Sequence, residues 1–222
     1  MIKNVIFDCD GVLLASNDVF FECFVEGAKE LGVAVTRDFY IKVTGGGMMD
    51  SVKVFMDMYH FSQPTVEYII KHVDALYKEK AKEQGVPLKP YVKEVLDYLE
   101  EHQIKRFVAS SSFEDVIQQT LGPHHVLSRF NGTIFGDMVK ERKPDPEIYL
   151  TCMEKFGLKK EETIIVEDSM NGIKAAHAAG VICIGVRDFS SIDEWEEKGY
   201  CIQRKDLWDA MMYVDEVNKK SS

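Results

Sequence analysis

Hydrophobic positions along this chain switch between two periods. A short apolar run, Val5-Ile6-Phe7, stops at Asp8-Cys9-Asp10-Gly11 and predicts a buried strand ending in a turn. The spacing then becomes helical: Val19, Phe20, Cys23, Phe24, Ala28 and Leu31 share one face, and Gly32 stops the run. A second helix is predicted over 37–43, and Gly45-Gly46-Gly47 then breaks the chain. A third opens at Asp50-Ser51, with Val52, Phe55, Met56 and Tyr59 on one face. A fourth starts at Pro64 and carries Val66, Ile69, Ile70, Val73, Leu76 and Tyr77. No strand pattern occurs between Leu14 and Gln84.

After the return segment Val86-Pro87-Leu88-Lys89-Pro90, strands and helices alternate. Val92, Val95, Leu96 and Leu99 mark a helix, 104–109 a second strand, and 113–121 a helix closed by Gly122-Pro123. A third strand is predicted over 132–135. Asp145-Pro146 supplies an N-cap and a first-turn proline for a helix carrying Ile148, Tyr149, Cys152, Met153 and Phe156. A fourth strand covers 163–166, Ser169 caps a helix running to Gly180, and 181–186 is a fifth strand. Segments 195–200 and 207–217 fall at the periphery, with Trp195 and Trp208 as packing residues and a frayed tail from Asn218 to Ser222. The alternation predicts an α/β fold, a Rossmann-like parallel sheet with helices on both faces. An all-helical subdomain interrupts it. The expected boundaries are 1–14 and 86–222 for the core and 15–85 for the insert.

The 222 residues are 45% hydrophobic, enough for one sizeable core or a core plus a smaller insert. A net charge of -10 argues against nucleic-acid or anionic-membrane binding through the overall field, so an anionic substrate needs local cations. The N-terminus runs straight into the first strand, and no apolar run is long enough to span a bilayer. Five scattered cysteines without a CxxC pair predict reduced, buried thiols in a cytoplasmic protein. Nothing demands a dimer, and a monomer is expected.

Candidate chemistry starts at the first strand. Ligands of open α/β sheets bind beyond the carboxyl ends of the strands. Residues i and i+2 of a strand face the same side, so Asp8 and Asp10 can address one site, and Gly11 lets the chain turn away. An Asp-x-Asp pair also suits an ordinary turn. Three later stretches end apolar runs in polar groups: Val108-Ala109-Ser110-Ser111, Lys143-Pro144-Asp145-Pro146 and Ile164-Ile165-Val166-Glu167-Asp168-Ser169. Singly, Lys143 reads as a solvated lysine in a charged run and Glu167-Asp168 as a helix N-terminus. One of Ser110, Ser111 and Ser112 reads as a helix cap, and Asp145 is assigned to capping. The six histidines show no metal-ligand spacing.

Taken in order, the four stretches resemble the four motifs of the haloacid dehalogenase superfamily, over Val5 to about Val186. The resemblance implies Asp8 as a nucleophile that forms a phosphoaspartate and also binds a metal. It implies Asp10 as general acid and then base, with its backbone carbonyl on the metal. Asp168 matches the other main metal carboxylate, with Glu167 as a direct or outer helper. Ser110 matches the hydroxyl on the phosphoryl oxygens, the Ser111 N–H a further donor, and Lys143 the cation that stabilises phosphoryl and aspartyl charge. Four carboxylates around a phosphate dianion need a cation, and Mg2+ suits hard oxygen ligands.

Dehalogenases of the superfamily lack the second acid, so Asp10 points to phosphoryl transfer. The helical insert, a cap in family terms, and Asp8-Cys9-Asp10-Gly11-Val12 look like β-phosphoglucomutase and its phosphatase relatives. Met48 stands where the mutase has an arginine for a distal phosphate, and Phe20 where it has a gating histidine. The expectation is a magnesium-dependent phosphatase acting on a small phosphorylated metabolite: a sugar phosphate, sugar-acid phosphate or phosphoglycolate. Gly45, Gly46, Gly47 and Met48 are expected to select the substrate. A sugar phosphomutase is the alternative, and a non-catalytic phosphoryl- or metal-binding module the alternative of another class.

Overall fold

The structure, a computed structural model, describes residues 1–30, 32–44, 48–189 and 192–220, with the side chains of 42–44 and 48–52 outside that description. Leu31 and Gly45, Gly46 and Gly47 of the sequence reading therefore lie outside the described residues, as does the Met48 side chain. The chain forms two compact units, Ser16–Val86 and Met1–Ala15 with Pro87–Ser222.

The first is helical: α1 (Ser16–Lys29), α2 (Arg37–Thr44), α3 (Met48–Tyr59) and α4 (Gln63–Gln84). Helix α1 packs on α4, and Gly27 lets them approach, since a Cβ there would meet Val73 Cγ2 at 3.1 Å. Phe24, Phe39 and Phe55 fill the interior, with Phe39 edge-on to Phe55 at 5.0 Å between ring centroids. Ser62 caps α4 through the Thr65 N–H, and Pro64 sits in its first turn.

The second unit carries a six-stranded sheet: β1 (Asn4–Phe7), β2 (Lys105–Ala109), β3 (Gly132–Ile134), β4 (Thr163–Glu167), β5 (Ile182–Val186) and β6 (Ile202–Arg204). The order is β3-β2-β1-β4-β5-β6, and every neighbouring pair is parallel. Helices α5 (Val92–Glu101), α6 (Glu114–Thr120), α7 (Glu147–Phe156), α8 (Met170–Ala179), α9 (Asp193–Glu197) and α10 (Leu207–Lys220) connect and cover it. The central strands β1 and β4 are buried along their whole length, which is why they read as continuous apolar runs. The fold is thus a Rossmann-like α/β core interrupted by a helical subdomain. From β1 the chain builds outward through β2 and β3, then returns to place β4 on β1's other side. That reversal opens a crevice at the carboxyl ends of β1 and β4.

The two passages between the units pair with each other. The Ala15 N–H donates to the Pro87 carbonyl at 2.8 Å, and the Lys89 N–H to the Leu13 carbonyl at 2.9 Å. Leu14 and Leu88 form an antiparallel bridge between them.

Several expectations are corrected. Strand β6 has no counterpart in the sequence pattern, because three residues including Gln203 and Arg204 give no apolar run. The tail is not frayed from Asn218: α10 runs to Lys220, and the Asn218 amide clamps the Ile2 backbone from both sides. Trp195 is buried, but Trp208 is 38% exposed, its ring in a T-shaped contact with Tyr98. Helix α7 begins after Pro146, and Asp145 serves it from one residue further back by accepting the Glu147 N–H at 2.9 Å. Ser169 does cap α8, accepting the Gly172 N–H at 3.0 Å. All five cysteines are free and buried. Among the described residues, no helix is long and apolar enough to cross a membrane.

Candidate active site

Phe7 is level with Val108 on one side and Val166 on the other. The next residue on each of the three central strands is Asp8, Ala109 and Glu167, so one level of the sheet delivers two carboxylates to the crevice. The Asp8 N–H continues the ladder onto the Val166 carbonyl at 3.0 Å. Beyond Asp10 the chain turns tightly: Gly11 has φ +82°, and the Leu13 and Leu14 N–H groups both donate to the Cys9 carbonyl.

Lys143 reaches in from the segment between β3 and α7. Its Nζ donates to Asp8 Oδ1 at 2.5 Å, to Glu167 Oε1 at 2.6 Å and to the Ala109 carbonyl at 3.2 Å. Glu167 is wholly buried and heavily bonded. Oε1 also accepts the Tyr149 hydroxyl at 2.5 Å, and Oε2 accepts the Asp168 N–H, the Ser169 N–H and the Ser169 hydroxyl. Asp168 completes the group, and ligand atoms of Asp8, Glu167 and Asp168 lie within 4.8 Å of one another. Such a buried, oxygen-only set suits a hard divalent cation.

Asp10 stands apart from that cluster. Its Oδ2 accepts the Ser112 hydroxyl at 2.7 Å. Ser110 is buried at the end of β2, where its Oγ accepts the Ser112 N–H at 3.1 Å. The bland reading, in which one of the three serines caps the next helix, does not hold, because the residue that precedes α6 is Phe113. The Ser111 carbonyl lies against Gly136, where a Cβ would be 2.1 Å from it.

The electrostatics follow from burial. Asp8 is pushed up to about 8, first by burial, then by Glu167 and Asp10, with Lys143 opposing. Asp168 is held well above the usual carboxylate range by burial and by Glu167, Asp8 and Asp188. Burial also pushes on Glu167, but Lys143 and the hydrogen bonds from Lys143, Tyr149 and Ser169 outweigh it and lower that carboxyl. Burial presses Lys143 down, and the charges of Asp8 and Glu167 more than restore it. Burial thus disfavours charge on Asp8 and Asp168, while Glu167 stays ionised against Lys143.

Four residues of this neighbourhood were missed in the sequence. Asp188, 3% exposed in its side chain, follows β5 and pairs with Lys89 Nζ at 2.7 Å. The strand-end rule that picked out Asp8 applies to it equally. Ser112 and Tyr149 carry no signal beyond an ordinary turn serine and an ordinary core aromatic.

Gly172 is the fourth. A Cβ there would lie 1.8 Å from Glu167 Oε1 and 1.9 Å from Cδ. Gly172→Ala is expected to destabilise the protein by about 2–4 kcal/mol and to lower activity more than tenfold, because five hydrogen bonds leave Glu167 nowhere to move. Urea titration against Gly157→Ala is the check. Gly157 has φ +64° and open space around it, so that variant should lose only about 1 kcal/mol. Equal losses in the two would show that α8 can yield.

The family model for haloacid dehalogenase-like hydrolases matches residues 5–186. The chain is 31% identical over 182 residues to a phosphorylated carbohydrates phosphatase of Thermotoga maritima, spanning 81% of this chain and 82% of that one. It is 28% identical over 186 residues to hexitol phosphatase B of Escherichia coli, spanning 80% of each. A Thermotoga maritima crystal structure assigned as a beta-phosphoglucomutase superposes with a TM-score of 0.75 at 26% identity, covering 97% of this chain and 100% of that one. With four motif-bearing segments converging on one crevice and a family match over most of its length, this chain belongs to the haloacid dehalogenase-like hydrolases.

Proposed function

We propose that the protein is a magnesium-dependent phosphatase that hydrolyses a small phosphorylated metabolite of the sugar phosphate, sugar-acid phosphate or phosphoglycolate type. The observation that carries this reading is the division of labour between two carboxylates. Asp8 is held between Lys143 and the carboxylate cluster, whereas Asp10 is bonded separately to Ser112. Asp8 attacks phosphorus, and the leaving alcohol takes a proton from Asp10. Water then attacks the phosphoaspartate with Asp10 as base, releasing phosphate and restoring Asp8. Ser110 and the Ser111 N–H hold phosphoryl oxygens, and Lys143 orients Asp8 and offsets part of the burial that disfavours its charge. Asp8, Asp168 and the Asp10 carbonyl are assigned to magnesium, with Glu167 beside them; when bound, the ion supplies charge neutralisation and orientation of the phosphoryl group. The names of the phosphatase relatives support the sugar-phosphate part of this range. Gly45, Gly46, Gly47 and Met48 are retained as the proposed selecting segment.

The test is phosphate release from a panel of hexose, hexitol, sugar-acid and glycolate phosphates in magnesium buffer, comparing wild type with Asp10→Asn. Release that Asp10→Asn removes supports the proposal. Sugar-phosphate interconversion in the presence of a bisphosphate primer, with no release, would move the assignment to a phosphomutase. Within the same assay, Ser112→Ala is expected to lower kcat about three- to tenfold with KM little changed, since one charge-assisted bond to Asp10 is lost. An unchanged kcat would show that Ser112 does not hold the acid.

A further inference from the structure

Tyr149 lies on α7, outside the residues given a chemical role above, and it is 0% exposed. Its hydroxyl donates to Glu167 Oε1 at 2.5 Å. Its ring lies beneath Lys143, with Nζ 4.8 Å from the ring centroid. Ile148, Cys152 and Met153 of the same helix are buried as plain apolar contacts. Packing alone asks only for a ring at this position. A hydroxyl at this depth is tolerated only with an acceptor, and the acceptor here is the carboxylate that Lys143 also binds.

Lys143 shows why such a device is useful. An ammonium on a four-carbon stem has three donors and free rotation. Here the three acceptors are Asp8 Oδ1, Glu167 Oε1 and the Ala109 carbonyl, and the aromatic face closes a further side. The Glu167 oxygen that receives Lys143 is the same oxygen that Tyr149 fixes.

We propose that Tyr149 is a positioning residue of this site: its hydroxyl orients Glu167 and its ring carries Lys143, so that the lysine stays on Asp8 and the carboxylate cluster keeps its shape. The inference rests on the phosphatase reading for the meaning of Asp8 and Lys143, but its consequence for the cluster does not depend on turnover.

Tyr149→Phe keeps the ring and the packing and removes only the donor; Tyr149→Leu removes both. Assayed well below the melting temperature, Tyr149→Phe is expected to lower kcat about 5- to 20-fold with KM within about twofold, and Tyr149→Leu about 100-fold. Calorimetric titration of magnesium into substrate-free protein is expected to show about tenfold weaker binding in Tyr149→Phe. A purely structural tyrosine would lower the melting temperature and leave kcat per folded molecule and magnesium affinity alone. A fall in either quantity with the fold intact supports the proposal. Wild-type values for both in Tyr149→Phe overturn it. If wild type releases no phosphate from any ester, the phosphatase reading fails and the magnesium titration alone decides: weaker binding keeps Tyr149 as positioning residue, and unchanged binding removes it.

Discussion

Asp8→Asn is expected to lower phosphate release by about 10,000-fold or more while making the metal-free protein more stable. The first effect follows from chemistry: an amide oxygen cannot serve as the covalent nucleophile, and loss of a nucleophile typically removes several orders of magnitude of rate. The second follows from burial. Asp8 sits at about 8, above its ordinary value near 4, because burial and the neighbouring carboxylates disfavour its charge. A group raised in the folded state contributes stability that is present below about pH 4 and is lost as pH rises through about 8. Asparagine has no proton to lose, and its Oδ1 can still accept from Lys143, which also keeps Glu167. The stability difference between variant and wild type should therefore open between pH 4 and 8 and stay constant above. Thermal melts in chelator at pH 5 and pH 9 read it directly, with a gap on the order of 5 °C at pH 9. A wild type that outlasts Asp8→Asn at pH 9 without metal would show that Asp8 is not under this strain.

Removing magnesium is expected to reduce phosphate release about 1,000-fold, the scale of several kcal/mol of lost charge stabilisation. Restoring it at 100 times its dissociation constant should stabilise the fold by about 2.7 kcal/mol, or about 5–10 °C in a chain of this length. The increment has a direction with pH. Asp8 and Asp168 are both raised, so protons compete with the cation for the same oxygens, and the increment should grow from pH 6 to pH 8. An increment that is flat or shrinking over that range would place the ion elsewhere. Differential scanning fluorimetry at four pH values, with and without chelator, separates these outcomes.

Much of the placement was legible because of one property of parallel sheets. Strands buried on both faces must be apolar throughout, so the first charged residue after such a run marks the carboxyl edge. Asp8 and the Glu167-Asp168 pair were visible for that reason, and the structure brings them within reach of one ion. Lys143 is legible through the Pro144-Asp145-Pro146 that follows it and its place in the order of the four stretches rather than its own character, and its Nζ meets Asp8. The sequence favours Ser110, which follows the apolar run directly, and gives no sign of Ser112, because which hydroxyl faces Asp10 depends on the path of a turn. Tyr149 and Gly172 were invisible for a different reason. A helix position facing a sheet reads as core whether or not its hydroxyl finds a carboxylate, and a glycine in a helix reads as weakness until the group pressed against it is known. Strand β6 escaped because three mixed residues have no period.

The paired passages at Leu13–Ala15 and Pro87–Lys89 bear on how such a protein can change over time. The chain leaves the core and re-enters it through adjoining backbone, so to the sheet the whole excursion between them counts as one hairpin loop. The entropy of closing a loop grows only with the logarithm of its length, so resizing or replacing the excursion perturbs the core far less than altering any strand. A chimaera spliced at Ala15 and Pro87 is therefore expected to keep the sheet and its ladder intact.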